Sequence, residues 1–243
     1  MGRKGSTAHL KRLASPKHWP VPRRIKKWVA RPKPGPHGIE EGVPLLVLVR
    51  DILGLALTGR EARKIISQKR IHVDGRPRYD YKFIVGLMDV ISIPDMGLYL
   101  RLVPDPKHLI KPIEIPKEES DKKLVKVERK VPIKGGRLQI QIGTHDGRNF
   151  VVDPDSEYFG ISLGDSLLIK VPKQEILGHF PLKEGYVGVI LKGENAGRIC
   201  KIEKVGELIE AKDLDNQERT YNVLPRNILV VGEVAPVIKV REK

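Results

Sequence analysis

The sequence has little cysteine, few aromatic residues and no long apolar run. One cysteine, Cys200, among 243 residues excludes an internal disulfide and a zinc site built on cysteines. Aromatic residues make up 5% of the chain, so its cores must be mainly aliphatic. The longest strongly apolar run, Val43–Val49, is far shorter than the roughly 20 residues that span a membrane. No apolar block follows the N-terminal charges, as it would in a signal peptide. We therefore expect a cytoplasmic protein.

The sequence is rich in positive charge, most of it at one end. The formal net charge is +15, and residues 1–42 hold 11 Lys or Arg against two acids. Six prolines and the lack of an apolar period predict that this arm is extended and forms no core of its own. A dense row of cations is typical of chains that bind nucleic acid. The alternative, a disordered solubilising tail, is disfavoured by two tryptophans, which stack on unpaired bases or anchor the arm to the body.

The charge falls along the chain and, with the turn signals, predicts four parts. Residues 43–105 and 106–174 each carry +3, whereas residues 175–243 are neutral. We expect the N-terminal half to contact a polyanion and the C-terminal half to face water or protein. Prolines and the charged run Lys117–Lys123 mark a boundary. The predicted parts are a basic arm (1–42), a small domain of two helices and strands (43–105), a central β-domain (106–174) and a C-terminal β-barrel with a tail (175–243).

Two helices are predicted in the second part. Leu45–Leu53 is a short amphipathic candidate. The next helix starts with a capping box, in which Thr58 accepts from the amide of Glu61 and the Glu61 carboxylate reaches back. Its apolar stripe leaves the cations on exposed positions, although an ordinary solvated helix face is the plain alternative. Those cations are Arg60, Arg63, Lys64, Lys69 and Arg70.

Short alternating segments separated by turn residues predict strands from residue 71 onward, an arrangement typical of small barrels. Asp74-Gly75 is the strongest turn signal among them. The predicted strands are Ile71–Val73, Val90–Ile93, Leu98–Leu102, Leu138–Ile142, Asn149–Val152, Ser166–Val171, Tyr186–Leu191, Ile199–Val205, Leu208–Lys212, Thr220–Val223 and Ile228–Val231.

Two motifs resemble known RNA-associated modules. The run Leu53–Arg76, with its Leu-Gly-Leu-Ala helix end, Arg-Glu-Ala-Arg helix and strand ending in Asp-Gly, closely resembles the S-four (S4) RNA-binding domain. The run Gly188–Ile202 is similar to the KOW motif, which lies in a small SH3-like barrel. Gly197 falls at the characteristic glycine of that motif, whereas Cys200 stands where many members have a second glycine. KOW barrels bind RNA or protein, and both readings stay open here.

The order of these parts resembles the archaeal and eukaryotic small-subunit ribosomal protein family S-four-e (S4e). The resemblance covers nearly the whole chain and implies an α+β, multidomain fold: an extended basic arm, a small αα-β S4 domain, a central β-domain and a C-terminal SH3-like (KOW) barrel. It implies a structural role in the small ribosomal subunit, with small-subunit rRNA and neighbouring ribosomal proteins as partners. It implies no catalysis, cofactor or metal.

The residues predicted to contact RNA are cationic or aromatic and fall in the arm, the S4 domain and two loops. The Thr144–Arg148 segment, which also resembles the family, is predicted as a polar hairpin tip. The predicted contacts are Arg3, Lys4, His9, Lys11, Arg12, Lys17, His18, Trp19, Arg23, Arg24, Lys26, Lys27, Arg31, Arg60, Arg63, Lys64, Lys69, Arg70, Arg76, Arg78, Lys134, Arg137, Arg148, Lys192 and Arg198.

Two rival functions use the same modules. A free RNA-binding regulator or elongation factor would bind messenger or nascent RNA and be substoichiometric to ribosomes. An RNA-modifying enzyme would need a further catalytic domain, and the sequence has no phosphate-binding loop, dinucleotide fingerprint or pair of histidines at the i, i+4 spacing of a zinc helix.

Overall fold

Turn residues divide the chain into short strands, and a computed structural model arranges most of them into three five-stranded antiparallel sheets. The structure describes residues 8–133, 139–216 and 218–241. The protein is multidomain and mostly β, with few helices. Within these residues, no helix is long and apolar enough to cross a membrane.

The arm folds back on itself and onto the body. Strand β1 (Leu10–Lys11) pairs antiparallel with β2 (Trp28–Val29). The segment between them carries Trp19 and Val21, which are buried in the main apolar cluster of the protein. The arm thus contributes to the core of the body, which is the anchoring alternative that the sequence left open for its tryptophans. Few apolar residues suffice here, because they are buried against apolar surface of the body.

The second part starts with β3 (Gly42–Pro44), α1 (Leu45–Val47), a single π-helical stretch over Leu48–Ile52 and α2 (Gly59–Ser67). The first predicted helix is present, but it is not amphipathic: every side chain from Leu45 to Val49 is buried. The capping box of α2 is confirmed, with the Glu61 amide donating to Thr58 Oγ1 over 3.2 Å and Glu61 Oε2 accepting from the Thr58 amide over 3.2 Å.

A sheet lies beside these helices, in the order β5-β4-β7-β8-β9, and β6 pairs with β3. Asp74 and Gly75 both have positive φ, 51° and 73°, as the predicted tight turn requires. The prediction ended this part at residue 105, which lies in the β8–β9 hairpin, so residues 109–114 belong to this sheet. The strands are β4 (His72–Val73), β5 (Arg76–Pro77), β6 (Ile84–Gly86), β7 (Val90–Ile93), β8 (Leu98–Asp105) and β9 (Leu109–Glu114).

The central sheet has the order β12-β11-β10-β13-β14. Its long middle strand, β10, was not predicted, because the sequence KKLVKVERKVP is dominated by charge and begins inside the run taken as a boundary. Strand β14 was also not predicted. The strands are β10 (Lys122–Pro132), β11 (Ile140–Thr144), β12 (Asn149–Val152), β13 (Ser166–Lys170) and β14 (Glu175–Phe180).

The C-terminal sheet has the order β18-β17-β16-β15-β19 and its own aliphatic cluster, which includes the buried thiol of Cys200. All five strands lie where the alternating pattern predicts them. They are β15 (Val187–Ile190), β16 (Ile199–Lys204), β17 (Ile209–Asp213), β18 (Thr220–Val223) and β19 (Ile228–Gly232).

Buried polar contacts connect the parts. Arg101 of β8 is fully buried and donates to the carbonyls of Lys122, at 3.0 Å, and Lys239, at 2.8 Å. The Lys126 ammonium of β10 donates to the Ile228 carbonyl over 2.6 Å. Burial lowers the pKa of Lys126 to about 8. These contacts hold the central strand, the C-terminal sheet and the C-terminal tail against one another.

Candidate nucleic-acid interface

The predicted contact residues differ widely in exposure. Two are buried, Arg12 and Trp19, and four lie outside the described residues, namely Arg3, Lys4, Lys134 and Arg137. Six are partly buried: His18, Arg23, Arg31, Arg78, Arg148 and Arg198. The exposed ones are His9, Lys11, Lys17, Arg24, Lys26, Lys27, Arg60, Arg63, Lys64, Lys69, Arg70, Arg76 and Lys192. The exposed set is therefore concentrated in the arm and the S4 domain.

Trp19 anchors the arm instead of offering a stacking surface. Its side chain is 2% exposed and its indole N–H donates to the Gly42 carbonyl over 2.9 Å. A buried ring has no free face on which a base can stack, and this corrects the prediction of Trp19 as an RNA contact. Trp28, by contrast, is 48% exposed on β2.

Two arginines hold the arm in shape. Arg12 is buried and donates from Nε to the Trp28 carbonyl, at 3.1 Å, and from Nη1 to the Pro22 carbonyl, at 2.6 Å. Arg23 donates to the carbonyls of Ser15, at 3.0 Å, and Pro16, at 2.8 Å. A guanidinium whose N–H groups are directed at internal carbonyls has little left to offer a phosphate. This corrects the prediction of Arg12 as an RNA contact.

The exposed face of α2 presents Arg60, Arg63 and Lys64, because Ala62 and Ile66 are buried on the opposite side. The Arg63 guanidinium lies 4.4 Å from the ring centre of Tyr81, a cation–π contact that orients it. In the described part of the chain, no ion pair involves any of these three cations. Farther along, Arg70 Nε lies 3.6 Å from an Asp95 carboxylate oxygen, with both side chains more than half exposed.

Arg76 and Arg78 flank the β4–β5 turn. Arg76 donates to the Pro172 carbonyl over 3.4 Å, and Arg78 lies over the Phe83 ring at 4.2 Å. Burial lowers the pKa of Arg78, and its Nε has no hydrogen-bond partner within the part of the chain that the structure describes. Both arginines therefore border the junction with the central domain.

The predicted polar hairpin tip is a hairpin turn between β11 and β12, but it is inserted into the protein. Asp146 is 3% exposed. Arg148 donates to Asp146 Oδ2 from Nε, at 2.7 Å, and to Asp74 Oδ2 from Nη2, at 2.5 Å. The structure thus corrects the prediction of Arg148 as an RNA contact, because its charge is balanced within the protein.

Lys123 lies at the centre of this buried cluster. Its ammonium, which is fully buried, lies 2.8 Å from Asp74, 2.5 Å from Asp89 and 2.9 Å from Asp146. Burial opposes its charge, yet the three aspartates raise the pKa of Lys123 above its usual value. His37 of the arm also contacts Asp89, at 3.0 Å.

The pKa values of two of the aspartates are shifted in turn. Burial opposes the charge of Asp146, and Lys123 nevertheless lowers the pKa of that carboxyl; for Asp89, His37 and Lys123 together lower the pKa against the same opposition. The arm, the second part of the chain and the central sheet thus meet at one ionic cluster. No sequence signal marked it, since Lys123 lies in a run that resembles a solvated linker.

The KOW-like hairpin packs against the S4 domain. Gly197 has φ of 82°, and a Cβ at this position would lie 2.6 Å from the Pro104 carbonyl oxygen, so only glycine fits. Lys192 lies 2.7 Å from Glu41, and Arg198 lies 3.1 Å from Asp213. Lys192 is exposed and Arg198 is partly buried, and both already have acidic partners. In the described ranges, no cluster of His, Cys, Asp and Glu side chains could hold a metal ion.

Known proteins match this chain over almost its whole length. Family models match in three segments: RS4NT (NUC023) domain at residues 4–40, S4 domain at residues 43–91, and ribosomal family S4e at residues 96–176. A protein named small ribosomal subunit protein eS4 from Korarchaeum cryptofilum is 51% identical over 99% of this chain and 100% of its own. Another of that name from Methanocaldococcus jannaschii is 42% identical over 98% and 100%.

A solved structure shows the same fold. The crystal structure of the 30S ribosomal protein S4e from Thermoplasma acidophilum superposes with a TM-score of 0.66 at 30% identity. The match covers 79% of this chain and 96% of that chain.

Proposed function

We propose, because the chain belongs to the ribosomal family S4e, that it is a structural constituent of the small ribosomal subunit and binds small-subunit rRNA. Its partners are that rRNA and neighbouring small-subunit proteins, and it works in the cytoplasm without catalysis or cofactor. The observation that carries the proposal is the set of exposed cations in the arm and on α2. Among the described residues, the cations of α2 take part in no ion pair.

The arm and α2 carry the binding in this proposal. Lys11, Lys17 and Arg24 of the arm are exposed, as are Arg60 and Lys64 of α2. Cations on a fixed surface neutralise phosphates and release counterions, which gives affinity that is largely independent of sequence. The folded arm adds rigidity, because a surface already ordered loses less entropy on binding.

The remaining parts act as supports. The part predicted as residues 175–243 begins with β14, which pairs with β13 of the central sheet. We propose that the strands after it, β15 to β19, form an SH3-like KOW barrel, supported by their five-stranded sheet with a separate aliphatic cluster. The proposed division keeps an arm, an S4 domain, a central β-domain and this barrel, with residues 109–114 assigned to the S4 sheet. The C-terminal part contacts RNA at its basic loops and presents its neutral surface to neighbouring proteins.

The salt dependence of binding to purified small-subunit rRNA tests the α2 face. Changing Arg60, Arg63 and Lys64 to Ala is expected to reduce the log–log slope by about one unit or less for each cation. Lys183→Ala, Lys201→Ala and Lys204→Ala together remove the same charge from exposed positions of the C-terminal part and serve as the control. Equal slopes for the wild type and the α2 triple variant would remove this face from the interface.

Sedimentation of cell lysate tests the ribosomal role itself. One copy per small subunit that survives a high-salt wash is expected. A protein found mainly free would instead support a regulator that binds other RNAs.

A further inference from the structure

A cleft of about 740 Å³ lies between the arm ladder β1–β2 and the start of α2. Leu10 and Val29 of the arm line one side, and Thr58 and Gly59 line the other. Its volume falls in the roughly 300–1,000 Å³ range of sites that enclose small ligands or single groups of larger ones. It exists only because the arm is docked on the body.

The cleft is selective for negative charge. Among the described residues that line it, no side chain is an Asp or Glu, whereas seven are Lys or Arg. Two of its arginines are already satisfied, Arg12 by carbonyls and Arg50 by Asp51 at 2.6 Å. Lys26, Arg60 and Arg63, in contrast, take part in no ion pair among the described side chains. Several uncompensated cations around one concave space favour a bound anion.

Aromatic surface lies beside these cations. Trp28 also lines the cleft, and about half of its side chain is exposed. The His9 ring is 5.3 Å from it, and Lys27 Nζ is 5.2 Å from its ring centre. Across the cleft, Arg63 is stacked on Tyr81. Exposed aromatic rings and arginine planes are the surfaces on which unpaired RNA bases stack.

We propose that this cleft binds one unpaired nucleotide of RNA, with its base against Trp28 and its phosphate among Lys26, Arg60 and Arg63. The inference rests on the proposed function and deepens it, since it assigns the binding of single-stranded RNA to this cleft. A base paired in a duplex is stacked between its neighbours and has no free face for Trp28, so double-stranded RNA does not satisfy the site. The two tryptophans are separated in role: Trp19 anchors the arm and Trp28 contacts the ligand.

Tryptophan fluorescence tests the proposal on the full-length protein, with a single-stranded adenosine hexanucleotide as the probe. The chain has two tryptophans, so each can be observed alone. Binding is expected to quench the emission of the wild type and of Trp19→Phe. In Trp28→Phe the remaining signal comes from the buried Trp19 and is expected to stay unquenched. Quenching that persists in Trp28→Phe would overturn the assignment.

Affinity gives a second readout, measured by anisotropy of a labelled probe. Trp28→Ala is expected to weaken hexanucleotide binding by roughly 5- to 150-fold, the range given by loss of one stacked base. Leu13→Ala truncates an exposed apolar residue of the arm outside the cleft and is expected to have no effect. Circular dichroism verifies that both variants are folded. Equal affinity of the wild type and Trp28→Ala would overturn the proposal.

An abasic strand of the same length separates base stacking from phosphate attraction. It is expected to bind the wild type at least 5-fold more weakly than the hexanucleotide, and equal binding would refute a base site. A negative result in the fluorescence, affinity or abasic-strand test would leave rRNA binding by the wild type intact. Failure of the proposed function is different, because the wild type would then bind small-subunit rRNA no better than a control polyanion.

Discussion

Removal of the Lys123 ammonium is expected to destabilise the protein severely. The side chain is fully buried and its Nζ lies within 2.9 Å of three carboxylates, from Asp74, Asp89 and Asp146. In Lys123→Ala, Arg148 and His37 remain, but they do not replace a charge at the centre of the cluster. The aspartates would then be buried near one another with too little positive charge.

The size of the expected loss of stability follows from the burial of the cluster. Breaking a buried ion pair by removing one partner costs about 3–5 kcal/mol, because the other charge is left uncompensated. For chains of this size, 1 kcal/mol shifts Tm by roughly 2–4 °C, so a fall of about 6–20 °C is expected. Lys33→Ala is the matched control: Lys33 Nζ lies 2.5 Å from Asp80, but the lysine side chain is 64% exposed. Such a solvent-exposed pair is screened by water and contributes little to stability.

Thermal unfolding followed by circular dichroism measures the difference, and its pH dependence gives a second signature. In the wild type the pKa values of Asp89 and Asp146 are lowered. Their stabilisation is therefore fully present above the unfolded pKa of 3.8 and is lost only as the pH falls below that value, through the folded pKa. Without Lys123, burial raises these pKa values and protonation favours the folded state. The difference in Tm between the wild type and Lys123→Ala should therefore become smaller as the pH falls from 7 to 4. A Tm loss no larger than that of Lys33→Ala would refute the reasoning.

Two further predictions concern the arm and the hairpin turn. Trp19→Ala is expected to cost about 3–5 kcal/mol in chemical denaturation and Trp28→Ala much less, because only the Trp19 ring is buried; equal losses would contradict a structural role for the arm. Burial lowers the pKa of His145 to about 4 from the usual 6.5, so stability is full above pH 6.5 and lost as the pH falls toward 4, by up to about 3 kcal/mol. His145→Gln is expected to flatten this window in denaturation series at pH 7, 6, 5 and 4, and an unchanged slope would exclude His145 as the cause.

Local signals in the sequence predicted much of the secondary structure. The capping box at Thr58 fixed the start of α2, since its hydrogen bonds form within one turn. Period-two alternation located the strands of the C-terminal sheet, because successive side chains of a strand point to opposite faces and this pattern is visible in a short segment. The resemblance to the S4e family is confirmed by the matched family models and relatives. Strand β10 was not found, because the sheet accommodates its charged side chains only through partners distant in sequence.

The sequence by itself determined where the positive charge lies, where the strands of the C-terminal sheet lie, and the family to which the chain belongs. Only the tertiary structure decided which charges face solvent. Lys123 and Lys122 are neighbours in one run, as Arg12 and Lys11 are, yet Lys123 and Arg12 are buried and satisfied internally. Exposure depends on what packs against a side chain from remote segments, and the arm, the S4 domain and the central strand supply those contacts only in the folded state.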